Sequence, residues 1–134
     1  MGLDDERKFV HFVFEEFLKA KGAGFDGHVL TIGHALVELH RMGHKELARK
    51  GVPAYWQWVR ESRAKEVKEP APREAPTPLT REYWAAQAKR RVGEIASSHT
   101  VKYPYSFYAL AKDVKDEDLK KRILAKVYRL TAVN

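Results

Sequence analysis

The chain has 134 residues, of which 44% are hydrophobic and 32% charged, with a net charge of +7 and no cysteine. This length suits one domain with a real core, and the lack of cysteine removes disulfides, thiolate nucleophiles and finger-type zinc sites together. No apolar run reaches the roughly 18 residues of a membrane span, and MGLDDERK lacks the basic-then-apolar order of a signal peptide. The expectation is a cytoplasmic protein with no membrane partner.

The charge is unevenly placed. Residues 1–66 hold 11 Lys and Arg against 10 Asp and Glu, whereas residues 67–134 hold 14 against 8. That asymmetry points the second half toward an anionic partner or toward solubility alone. Asparagine occurs only at Asn134 and glutamine only at Gln57 and Gln87, a shortage of thermolabile residues that fits a heat-adapted source. Glu6 stands where an N-terminal acylation motif needs Ser or Thr.

From Asp4 to Lys21, Phe9, Val10, Val13, Phe14, Phe17 and Leu18 recur at helical spacing over about half the circumference, which predicts a largely buried helix. Phe12 falls on the charged side with Lys8, Glu15 and Lys19. The next helix is expected from an Asp26 cap to a Gly51 stop, with Ile32, Ala35, Leu36, Leu39, Met42 and Gly43 inward and His34, Glu38, Arg41, Lys45 and Arg49 on or near the charged side. His40 and His44, four residues apart, are the weak candidates for a metal. Arg41 breaks the HExxH signature, and a site needs a third ligand, so no metal or cofactor is expected.

Pro53 is expected to open a third helix reaching Glu66. Trp56 and Val59 suit its core face, and Trp58 or Tyr55 suits a stacking platform. Residues 67–79, VKEPAPREAPTPL, carry four prolines in nine residues and read as an extended linker. Thr80 caps a helix with Trp84, Ala88, Val92 and Ile95 inward and Lys89 and Arg90 outward. Pro104 is expected to start or kink a helix ending near Lys112. Asp116 caps the last helix, whose core stripe is Leu119, Ile123, Val127 and Leu130.

Setting His28 against His99 brings Leu30, Ile32, Leu36 and Leu39 into step with Val101, Tyr103, Phe107 and Leu110. One added residue then matches Leu47 to Leu119 and Trp56 to Tyr128. The pattern resembles the helix pairs of α/α-repeat proteins in a general way. The expected fold is therefore all-α, with five or six helices. It is one domain (1–134) of two α-hairpin-like halves, 1–66 and 80–134, joined by the proline-rich segment 67–79.

The functional expectation is a non-enzymatic binding module whose second half contacts a polyanion such as nucleic acid. The basic candidates are Lys89, Arg90 and Arg91, with Lys121, Arg122, Lys126 and Arg129 as a stripe on the last helix. Trp58, Tyr103 and Tyr105 are the stacking candidates, with Trp84 and Tyr108 beside them. Two alternatives stay open: a protein-interaction or self-association module using Phe12 and the tryptophans, and a site lined by His28, His40, His44 and His99 with Asp26 or Glu38. No nucleophile–base pair or Gly-rich phosphate loop is legible.

Overall fold

A computed structural model describes residues 2–20, 25–63, 79–90 and 97–132. They form six helices and no strand: α1 (Glu6–Lys19), α2 (Phe25–Arg41), α3 (Lys45–Arg63), α4 (Arg81–Arg90), α5 (Ser97–Ala111) and α6 (Glu117–Ala132). The expected linker lies outside the described residues apart from Leu79.

The helix starts follow local chemistry. Asp5 accepts from the Lys8 amide at 3.2 Å, Thr80 Oγ1 from the Tyr83 amide at 3.1 Å and Asp116 from the Leu119 amide at 3.0 Å. Each side chain satisfies an N–H that the first turn leaves without a helical partner. Asp26, expected as a cap, instead stands inside the first turn of α2, where its carboxylate accepts from Gly27 N.

The corner between α2 and α3 falls earlier than expected. α2 ends at Arg41, and Gly43 takes φ of +96°, a conformation that a side chain would resist. Gly43 N bonds to His40 O at 3.1 Å and His44 N to Leu39 O at 2.9 Å, the paired bonds of a Schellman stop. Gly51 and Pro53 lie within α3. Gly51 serves packing there, because a Cβ on it would come 2.7 Å from the Leu36 side chain. Pro104 likewise lies inside α5, seven residues past the first described helical position.

α2 and α5 form the centre. α1 and α3 cover α2, α4 and α6 flank α5, and α1 also packs on α6. The apolar face of α1 is fully buried at Phe9, Val10, Val13, Phe14 and Phe17. Phe9 meets Trp56 with ring centres 5.4 Å apart, and Phe14 stacks on Phe107 at 5.8 Å. Leu36 and Trp56 are core residues as expected. Leu39 is half-buried and packs on that core, but the remaining α2 stripe is corrected: Ile32, Ala35, Met42 and Gly43 are exposed, while Val29, Leu30, Gly33, His34 and Val37 are buried. Three helices pack on α2, so its covered arc is wider than one stripe and takes in polar positions.

The α2–α5 crossing is closest at Gly27, where a Cβ would lie 2.2 Å from the Tyr103 ring. Gly27→Ala therefore forces either a rigid buried ring or a helix to move, and should cost about 1–3 kcal/mol in a urea titration. Gly2→Ala, with nothing within 4 Å, is the neutral control. Equal midpoints for the two variants would mean that α2 and α5 do not approach this closely.

Candidate functional site: the groove between α4 and α5

α4 turns Arg81, Trp84, Ala85 and Ala88, a helical i, i+3, i+4, i+7 series, toward Thr100, Val101, Pro104, Tyr105, Tyr108 and Ala109 of α5 and Lys112 just past its end. The small side chains of Ala85, Ala88 and Ala109 leave an open groove of about 390 Å³ between the helices. Its apolar floor includes Trp84, which is buried. The Arg81 guanidinium lies 5.1 Å above the Tyr108 ring, and the Tyr108 hydroxyl donates to the Leu79 carbonyl at 3.3 Å. Burial raises the Tyr108 pKa, keeping that hydroxyl protonated. Tyr105 is the large aromatic left open, at 65% exposure. Lys112 borders the groove at the C-terminal end of α5, and Glu38 of α2 closes the side.

Behind the groove lies a polar chain between α2 and α5. His34 Nδ1 is 2.9 Å from Ser106 Oγ, and His34 Nε2 is 3.2 Å from Glu38 Oε1. A neutral ring that donates through Nε2 and accepts through Nδ1 satisfies both contacts. The connectivity is that of a serine, base and carboxylate, but Ser106 is 3% exposed and does not line the groove. The chain acts as a staple between the two central helices. His34, expected near the charged side of its helix, is buried at 7% exposure.

Only part of the expected basic surface is assembled. Lys89 and Arg90 are exposed at the end of α4, and Arg91 lies outside the described residues. Lys121 and Arg122 are exposed on α6, with Arg122 3.1 Å from Asp118, and Arg129 is half-buried. Lys126 is corrected, being 2% exposed. Its ammonium donates to the carbonyls of Phe17 and Ala20, lies 3.8 Å from the Asp26 carboxylate and sits 4.8 Å from the Phe17 ring centre. The lysine thus ties the C-terminus of α1 to the start of α2. The sequence does carry the signal: position 126 lies three residues past Ile123 and seven past Leu119, on the apolar stripe itself.

The stacking candidates divide similarly. Tyr105 is in the groove and open. Tyr103 is buried against Gly27, with His99 stacked on it at 4.9 Å. Trp58 is half-buried on α3, and Tyr55, also considered as a platform, is buried and donates to Val29 O at 2.7 Å. His40 and His44 fall on either side of the Gly43 turn, so they do not share a helix face, and among the described residues no three His, Asp or Glu are grouped for a metal. Arg81, Lys112 and Glu38 escape sequence reasoning as groove residues, because only the crossing of three helices unites them. No helix among the described residues is long and apolar enough to cross a membrane. Compared with protein-family models, with curated proteins and with solved structures, the chain has no match.

Two outcomes test this geometry. Lys126→Met removes a buried ammonium from the Phe17 and Ala20 carbonyls and from beside the Asp26 carboxylate, and should cost about 3–5 kcal/mol in chemical denaturation. Lys121→Gln should change stability by no more than about 0.5 kcal/mol. A Lys126 variant as mild as the Lys121 one would return Lys126 to the surface.

Burial lowers the His34 pKa from its ordinary 6.5, outweighing the Glu38 carboxylate that raises it. The unfolded chain then binds the proton more tightly. His34's contribution is fully present above about pH 6.5 and is lost as the pH falls toward the lowered pKa of the folded chain. The stability difference between the wild type and His34→Gln should be constant above about pH 7. Below about pH 6.5 it should drift toward the variant, by up to about 1.4 kcal/mol for each further drop of one in pH. A flat difference from about pH 5 to 8 would contradict a buried, neutral His34.

Proposed function

We propose that the chain is a binding module for a single-stranded nucleic acid, with the α4–α5 groove as its contact. The observation that carries this reading is an exposed aromatic ring, Tyr105, in a concave apolar site bordered by Arg81 and Lys112. A base gains by stacking on an open ring, phosphates gain from nearby cations, and the groove volume of about 390 Å³ is in the range of sites for one small organic unit. Lys89 and Arg90 extend positive charge along α4 past the groove. The excess of cations in the second half adds a longer-range attraction.

Titration of a labelled oligouridylate at several salt concentrations tests it. Tyr105→Ala should lose about 1–3 kcal/mol of binding with folding intact. Lys112→Gln should make the logarithmic salt slope shallower by about 0.7, the value for one lost contact with a single strand. Lys121→Gln, on α6 away from the groove, should do less. No binding at moderate salt, or a Tyr105 variant equal to the wild type, would remove the reading.

A second reading is a protein-interaction or self-association module. It is favoured by Met42 and Leu47, 67% and 59% exposed around the α2–α3 corner. Phe12, expected as its anchor, is half-buried with its ring centre 4.7 Å from Trp56, and so contributes to the fold.

A further inference from the structure

We infer that Glu38 makes the α4–α5 groove selective for guanine among the bases a strand presents, an inference that rests on the strand-binding reading above. Glu38 is an acidic side chain in a groove whose other charged residues are Arg81 and Lys112. A carboxylate there opposes phosphate, so the ligand group it suits is one that donates hydrogen bonds. Its geometry is held from behind. His34 Nε2 lies 3.2 Å and an Arg41 nitrogen 3.6 Å from the same oxygen, Oε1. A carboxylate has about four acceptor positions on its two oxygens; the His34 contact takes one on Oε1 and the Arg41 nitrogen is beyond hydrogen-bond distance, so both oxygens keep acceptor capacity. The side chain is 40% exposed, enough to meet a ligand.

The platform lies close by. The His34 ring that fixes Glu38 is centred 5.3 Å from the ring of Tyr105, and Glu38 and Tyr105 line the same groove, so the carboxylate and the stacking ring belong to one site. A carboxylate only accepts, and the Watson–Crick edges of the bases differ in what they offer it. Guanine presents two adjacent donors, N1–H and the N2 amino group, which match two carboxylate oxygens. Adenine and cytosine present one amino donor beside a ring acceptor. Uracil presents one N–H between two carbonyls, which face the negative charge unfavourably. Arg81 and Lys112 are left for the phosphates.

The experiment compares oligouridylates that carry a single central guanosine, inosine, adenosine or uridine, by fluorescence anisotropy at one salt concentration, with free guanosine monophosphate as a competitor. The wild type should prefer the guanosine strand by about tenfold or more over uridine, with inosine, which lacks the N2 amino group, in between. Glu38→Gln, checked for folding by circular dichroism, should lose most of that preference, its affinity falling more for the guanosine strand than for the all-uridine strand. Equal binding of all four strands by the wild type overturns the guanine inference and leaves strand binding standing. Retention of the preference in Glu38→Gln also overturns it, since Glu38 is then not the reader. If neither a strand nor guanosine monophosphate binds, the groove reading falls and the inference with it. Guanosine monophosphate that binds while strands do not would support the base contact and assign it to a free nucleotide.

Discussion

The crossing of α2 and α5 joins the residues before the proline-rich segment to those after it at the centre of the fold, and three of its contacts are of different physical kinds. At one end a glycine lets the Tyr103 ring approach the backbone of α2. In the middle His34 and Ser106 meet in a buried hydrogen bond of 2.9 Å. At the other end Arg41 reaches the Ala109 carbonyl at 3.2 Å and Asp113 at 2.8 Å, while also holding Glu6 of α1 at 2.9 Å. Apolar burial would let two helices slide or rotate with little change in area, whereas these contacts fix depth, register and direction. Every other helix packs on one of these two, so the crossing also decides where α4 stands relative to Glu38.

Much of the architecture is legible in the sequence because it follows from local rules. The α1 stripe is apolar at Phe9, Val10, Val13, Phe14 and Phe17, although Glu16 is buried beside it, and α6 has a capping Asp116 and a regular Leu119, Ile123, Val127 series. The α2–α3 corner is not legible in this way. Both Gly43 and Gly51 can end a helix, and the choice between them is tertiary: Gly51 sits where α3 touches Leu36, and Gly43 takes the positive φ. The inward face of α2 departs from its apolar stripe for a related reason. Its buried His34 is directed at Ser106, 72 residues away, a partner that no hydrophobic period can report.

Charge is less informative than its total suggests, because a lysine or arginine is equally basic in either of two roles. Lys126 and Arg41 are used in holding helices together, one against carbonyls at the end of α1 and the other between two carboxylates. Arg122 and Lys120 have carboxylates within their own helix. What distinguishes Arg81 and Lys112 is their setting: they border a concave, partly aromatic surface. Of the stacking candidates named from sequence, Tyr105 keeps an open ring in the second half because its position on α5 faces neither Gly27 nor the core.

The groove also has an explanation in the packing of the first half. α1 covers α2 much as α4 covers α5, and the offset that sets His28 on His99 sets Val10, Val13, Phe14 and Phe17 on Arg81, Trp84, Ala85 and Ala88. In α1 those four positions are the fully buried face, so its two phenylalanines fill the space against the central helices. In α4 the residues matching those phenylalanines are alanines, and the space is open. An empty seam between two helices forfeits dispersion contacts and apolar burial that larger side chains would supply. Arg81, at the position that the offset sets on Val10, keeps a cation at the edge of that face. The space left open between α4 and α5 combines an exposed tyrosine, two cations and a carboxylate held in place from behind.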